Sequence, residues 1–360
     1  MDAQGQNGLL STFREGWRNR SLVGVAIAMA LIGFYVTLYF TDWWDPVARA
    51  LGLQNRWFLY GALYTVAMGG GAIYYLRRHG NSRYNRYRIA TNVGVQVAFG
   101  FSVPFIMFLA GQKDFYFSYF WPLKFDYLMP DTLSALPLYL SAYTFFGSIV
   151  AVPILAVTLG KRWYCSWICG CGGLANTFGD PWRHLTATST KSWKFEQVAV
   201  HGVMVVAFGL TTLVFLDFMI GDSYPQLHAS VGGLRYWYGV IVSSILAGVV
   251  GTGLYPLFGP RVWCRNFCPM AALLGVTQKF GRFRIRVKKD MCISCGNCTT
   301  YCEMGIDVRS YAQTNEDFTR AACVGCGMCA HVCPRGVLKL ENVAQTQEDK
   351  RRQGLRVVNF

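Results

Sequence analysis

Thirteen cysteines punctuate this 360-residue chain, and eight of them form two matched runs toward its C-terminal end. The first is Cys292-x2-Cys295-x2-Cys298-x3-Cys302, and the second is Cys323-x2-Cys326-x2-Cys329-x3-Cys333-Pro334. Three thiolates at this spacing wrap three corners of a [4Fe–4S] cube, while the fourth cysteine of each run crosses to the other cube. The rule assigns Cys292, Cys295, Cys298 and Cys333 to cluster I, and Cys323, Cys326, Cys329 and Cys302 to cluster II. Such cubes move electrons one at a time. Zinc sites share the Cys-x2-Cys pair, but two identical four-member runs fit zinc poorly. The runs differ at one place: Cys302 is followed by Glu303, where the second run has Pro334. A proline there shapes the turn and is not a ligand, so the assignment stands.

A second cysteine set precedes the first. It comprises Trp163-Tyr164-Cys165-Ser166-Trp167-Ile168-Cys169 and Trp263-Cys264-Arg265-Asn266-Phe267-Cys268-Pro269. Both have Cys-x3-Cys spacing, which puts the two thiols on one face of a helical turn. Each follows a basic patch, so the two read as a pseudo-repeat, and packed halves would bring four thiols together. Three readings remain open for Cys165, Cys169, Cys264 and Cys268: a third metal or iron–sulfur site, a thiol–disulfide or copper-handling set, and ordinary buried cysteines. Cys171 reads as a core residue.

The elements that must position these thiols follow from composition. The chain is 53% hydrophobic and only 15% charged, where soluble domains carry about 25% charged residues. Segments of about 20 apolar residues span a bilayer. Six qualify: Leu22–Phe40, Trp57–Leu76, Ile89–Gly111, Leu136–Gly160, Gln197–Ile220 and Tyr236–Leu257. Trp and Tyr gather at their ends as an aromatic belt. The first segment lacks a small-residue cleavage site and reads as a retained helix. Lys and Arg in the connections divide fifteen against five, which predicts cytoplasmic N- and C-termini in a bacterial inner membrane. That bias accounts for the net charge of +15 and removes the case for nucleic-acid binding. A reducing cytoplasm also argues against disulfides.

The expected architecture is an all-α transmembrane bundle of six helices plus a small α+β ferredoxin domain with two [4Fe–4S] clusters. The expected divisions are a cytoplasmic segment 1–21, a membrane domain 22–277, the ferredoxin domain 278–341 and a tail 342–360. Alternation within Gln278–Lys289 predicts a strand leading into the ferredoxin, whose charges could either be solvated or rest on anionic headgroups. No two histidines match in depth for a membrane haem, and His79, His184 and His331 read as surface or interface residues. No glycine-rich nucleotide motif follows a strand. Ionisable groups inside a membrane segment are functional candidates, so Glu196, His201 and Asp217 are the candidates for quinone or proton handling.

Two membrane Cys-x3-Cys motifs followed by a double [4Fe–4S] run resemble the NapH/NosR/CcoG group of polyferredoxin-like membrane proteins. The resemblance covers roughly residues 135–340 and rests on Cys165/Cys169, Cys264/Cys268-Pro269 and the eight ferredoxin cysteines. Gly170 departs from the family's proline in the first motif. The likeness implies electron transfer between the quinone pool and a partner redox protein or respiratory reductase. Its rivals are a redox assembly factor that reduces a metal or thiol, and a structural membrane anchor of a larger complex.

Overall fold

A computed structural model describes residues 22–342 apart from Asn81, Lys161, Asp222 and Ser223. The expected N-terminal segment 1–21 and the tail beyond Asn342 lie outside the described residues. The long helices are α1 (Leu22–Phe40), α2 (Arg56–His79), α3 (Arg83–Leu109), α4 (Leu138–Thr158), α5 (Thr190–Ile220) and α6 (Pro225–Val250). All but α2 are long and apolar enough to cross a membrane. The 24-residue α2 has the length, but four tyrosines and four glycines dilute its apolar character.

Several helices start earlier than their apolar stretches. The α3 helix begins at Arg83 rather than Ile89, and α5 at Thr190 rather than Gln197. Caps explain both starts. The Ser82 hydroxyl accepts from the Asn85 amide and the Ser189 hydroxyl from the Ser192 amide, satisfying donors that a helix start leaves open. The α6 helix starts at Pro225 rather than Tyr236, with proline in the first turn where its missing N–H costs nothing. Within α3, α4 and α6 the ladder widens to π geometry over Gln96–Ser102, Gly147–Ala151 and Gly239–Val250.

The helices expose apolar side chains outward. Leu22 is 89% exposed, Val198 76% and Met219 78%. In water such a surface would associate; in lipid it is the solvated face. Polar contacts collect instead at the two ends of the bundle. At one end Arg235 of α6 reaches Asp126 and Asp131 of the α3–α4 connection. At the other, the C-terminal end of α2 and the N-terminal end of α3 meet the ferredoxin: the Tyr84 hydroxyl donates to Gly325 O at 2.7 Å, and the Tyr75 hydroxyl lies 3.2 Å from Met328 Sδ.

The expected strand is present as β1 (Phe283–Val287), and it does more than lead into the domain. It pairs antiparallel with β2 (Leu338–Asn342), in register from Phe283 opposite Asn342 to Val287 opposite Leu338. All eight ferredoxin cysteines lie between the two strands. Ile285 and Val287 are buried as the alternation predicts, but so is Arg284, at a strand position the alternation would expose.

Candidate metal centre

The two ferredoxin runs fold as copies of each other. In the first, Ser294 and Gly296 have φ of 58° and 81°; in the second, Gly325 and Gly327 have φ of 65° and 78°. Two left-handed residues at matching places curl each run into a concave loop, and a short helix then carries Cys298 or Cys329. Gly327 also needs its bare Cα, because a Cβ there would lie 3.1 Å from the Tyr84 ring.

Cys292, Cys295, Cys298 and Cys333 line one cavity, with Arg309 and Arg335 in its wall. Cys302, Cys323, Cys326 and Cys329 line a second, with Glu303 and Phe318. The fourth cysteine of each run thus sits with the other run's first three. The cavities differ in setting. Cys295 of the first is exposed to solvent, while the second lies against the membrane domain through Gly325 and Met328. Burial pushes the Cys298 thiol up to about 11 and Cys302 up to about 12.

The membrane-edge motifs are also structural copies. Cys165 lies in the short helix Trp163–Trp167 and Cys264 in the π turn Trp263–Phe267. Cys169 and Cys268 each cap the helix that follows, Gly170–Asn176 and Pro269–Thr277. All four side chains are 3–4% exposed and share one core. The two motifs adjoin, since Arg162 beside the first bonds Cys264 O of the second at 2.9 Å. Burial raises Cys165, Cys264 and Cys268 above the ordinary thiol range; for Cys169 the Cys171 side chain is the first cause and burial the second. Gly172 permits the approach: a Cβ on it would meet Cys165 O at 1.8 Å and Arg261 Nη1 at 3.2 Å.

Buried arginines surround this set. Arg162 Nη1 donates to Cys264 O at 2.9 Å, and Arg261 Nη1 lies 3.7 Å from Cys264 Sγ. Arg88 reaches Ser166 Oγ at 3.4 Å and the Tyr75 hydroxyl at 3.0 Å. Arg265 pairs with Glu196 at 2.6 Å, and Arg183 with Asp180 at 3.0 Å. Glu303 lies between Arg261 at 2.9 Å and Arg183 at 3.2 Å. Five buried guanidiniums therefore face three buried carboxylates. Unpaired buried charge is costly, and a thiolate-held anionic centre would offset the excess.

The donor chemistry fits iron–sulfur cubes in all three sets. Among the described residues, no three His, Cys, Asp or Glu side chains approach closely enough to share one metal ion. Sulfurs around a single ion would sit under roughly 4 Å apart, whereas a cube spreads its ligands.

The quinone candidates separate. Glu196 and His201 line one pocket near the N-terminal end of α5, together with Arg162, Trp193, Gln197 and Arg320. Asp217 pairs with His228 at 3.0 Å; it sits 21 residues further along α5, about 30 Å at the helical rise. It takes no part in the cysteine sites. Several other residues at the site escape the sequence reading. Gln96 Nε2 donates to Ile168 O at 2.6 Å, and Asn92 Nδ2 reaches Cys169 O at 3.4 Å, both beside the first motif. A signal was there: Asn85, Arg88, Asn92 and Gln96 recur on one face of α3, and all are buried.

Comparison with known proteins agrees with this layout. A 4Fe–4S dicluster domain model matches residues 285–340, and a 4Fe–4S binding domain model matches residues 141–185 and 241–288, which contain the two membrane-edge motifs. YccM of Escherichia coli, whose name gives an electron transport role, is 27% identical over 46% of this chain and 47% of its own length. The methylamine utilization ferredoxin-type protein MauN of Paracoccus denitrificans is 24% identical over 51% of this chain and 67% of its own. The chain thus spans about half to two thirds of the length of these curated relatives. No solved structure matches it. The chain carries 4Fe–4S ferredoxin-type domains on a helical framework suited to a membrane, and it is similar to electron transport proteins.

Proposed function

We propose that this protein is a six-span inner-membrane iron–sulfur relay that passes electrons between the quinone pool and a partner redox protein. In this reading Cys292, Cys295, Cys298 and Cys333 hold cluster I, and Cys323, Cys326, Cys329 and Cys302 hold cluster II. Cys165, Cys169, Cys264 and Cys268 hold a third centre at the membrane edge. Bound there, the cubes supply one-electron transfer without bond making. The likeness to the NapH/NosR/CcoG group is part of the same proposal.

Two Cys-x3-Cys turns buried in one core, with Arg162 on Cys264 O and Arg261 beside Cys264 Sγ, carry the reading. The arginines hold negative charge at the membrane edge, and the second cavity's residues lie directly beyond them. Exposed Cys295 supports an outlet toward a soluble partner at the far cavity. The pocket at Glu196 and His201 supports a quinone head group there, since Arg162 in its wall bonds Cys264 O. A sixth span is supported by α2 lying along α3. Phe58 packs on Phe108, with ring centres 5.0 Å apart, near the end opposite the Tyr75–Arg88 contact. The lysine and arginine bias supports cytoplasmic termini.

The test is redox-titrated EPR with iron counting on purified protein, repeated with added quinol. About twelve iron atoms per chain and quinol-driven reduction are expected. An iron content near eight, with the four membrane-edge thiols reactive, would favour the second reading: an assembly factor that uses those thiols to reduce a metal or a disulfide.

A further inference from the structure

The residue after Cys302 breaks the match between the two ferredoxin runs. Where the second run has Pro334, the first has a carboxylate, and that carboxylate is 0% exposed. We propose that Glu303 is a positioning residue that locks the thiol set containing Cys302 onto the membrane-edge set and governs the electronic coupling between them. This rests on the membrane-edge centre proposed above.

Geometry carries the case. Glu303 takes Arg261 on one oxygen at 2.9 Å and Arg183 on the other at 3.2 Å. The two arginines come from opposite halves of the pseudo-repeat. Arg183 follows the first motif in sequence, and Arg261 stands three residues ahead of Cys264. Arg261 presents its other nitrogen to Cys264 Sγ at 3.7 Å. An unbroken path therefore runs from Cys264 Sγ through the Arg261 guanidinium and the Glu303 carboxylate to the backbone of Cys302. It contains one N–H···S contact, one ion pair and one peptide bond. No other carboxylate joins the ferredoxin to both halves of the membrane domain among the described ion pairs.

An ordinary structural ion pair would serve stability anywhere along this interface. Glu303 instead adjoins a cluster-ligand position and shares its partner with a thiol of the other set. Tunnelling between redox centres weakens steeply with separation, so the residue that fixes the separation fixes the rate. One electron leaves the set at Cys264 and one arrives at the set at Cys302. No proton moves and no bond changes in the transfer.

Glu303→Gln keeps the shape and removes the charge; Glu303→Asp keeps the charge and shortens the reach. Both are compared with wild type in full-length protein, after iron counting. Expected for Glu303→Gln are wild-type iron, a rise in the midpoint potential of the nearest cluster, weakened spin–spin interaction and at least tenfold slower reduction of the ferredoxin clusters by quinol. Glu303→Asp restores the potential but only part of the rate. If Glu303→Gln loses iron, Arg261→Lys replaces it, with the same expected loss of spin coupling. Unchanged potential, coupling and rate in an iron-replete variant would reduce Glu303 to a structural ion pair. Wild-type iron near eight refutes the membrane-edge centre itself and removes this proposal with it, a result read before any variant is made.

Discussion

Arg162 and Cys264 are 102 residues apart in the chain, yet Arg162 Nη1 donates to Cys264 O at 2.9 Å. The guanidinium that precedes the first motif by three residues thus braces the second motif. Its counterpart Arg261, at the same offset before the second motif, reaches back toward Gly172 beside the first. The two halves of the membrane domain hold each other's cysteine turns in place through these reciprocal arms.

Arg162→Gln should therefore loosen the membrane-edge set without touching the ferredoxin runs. Leaving the Cys264 carbonyl buried and unpaired costs about 1–3 kcal/mol. The expected result is a lower thermal midpoint and loss of membrane-edge iron, while the ferredoxin EPR signals persist.

Replacing Cys165 and Cys268 together with serine should remove about four of about twelve iron atoms per chain and abolish reduction by quinol. Dithionite should still reduce the remaining clusters. Iron analysis of the double variant decides the point; unchanged iron returns these cysteines to ordinary packing.

Gly172→Ala tests the close approach. Its Cβ would lie 1.8 Å from Cys165 O, which backbone must yield to relieve. We expect a destabilisation of about 3 kcal/mol or more, in the range of severe overpacking, read as poor membrane accumulation. An alanine at Gly202, where a Cβ meets nothing within 4 Å, should be tolerated.

Acid should act through Asp180. Burial opposes its ionisation, but His79 and Arg183 outweigh that and hold its carboxyl below the usual range. A depressed carboxylate contributes stability above its unfolded pKa of about 3.9 and loses it as pH falls further. Asp180→Asn should flatten the acid limb of a stability–pH curve below about pH 4. A parallel curve in the variant would contradict the assignment.

Topology is open to reporter fusions. Fusions at Asp131 should report the outer side and fusions at Ser189 the cytoplasmic side. A cytoplasmic Asp131 would invert the orientation.

The ferredoxin cysteines were legible from sequence because the spacing within each run is local: Cys-x2-Cys-x2-Cys encodes one concave loop, and only the fourth cysteine comes from the other run. The membrane-edge motifs were legible for a different reason, the repeat of Cys-x3-Cys spacing behind a basic patch in two halves. The arginine cage was not. Arg88, Arg162, Arg183 and Arg261 count in the sequence among the cytoplasmic loop charges, and there they carry orientation information. In the fold the same four turn inward and are 0–2% exposed. A linear reading cannot separate a solvated loop charge from a caged one, because the difference lies in distant partners such as Glu303. Asp217 shows the converse. An acid in an apolar helix invites a functional reading; the fold pairs it with His228, far along α5 from Glu196. The expected span Trp57–Leu76 lies within α2, whose tyrosines and glycines leave it less apolar than the other five long helices.

The pairing of β1 with β2 orders events during biosynthesis. The β1 strand leaves the ribosome before any ferredoxin cysteine, while its partner emerges only after the last of them. The loop that holds all eight thiols cannot close until Asn342 is made. Both membrane-edge motifs are complete by Cys268, more than seventy residues earlier. The bundle and its thiol set can therefore form while the ferredoxin is still an open chain. Cluster binding in the ferredoxin-type region becomes a late event, and Glu303 docks onto arginines that are already in place.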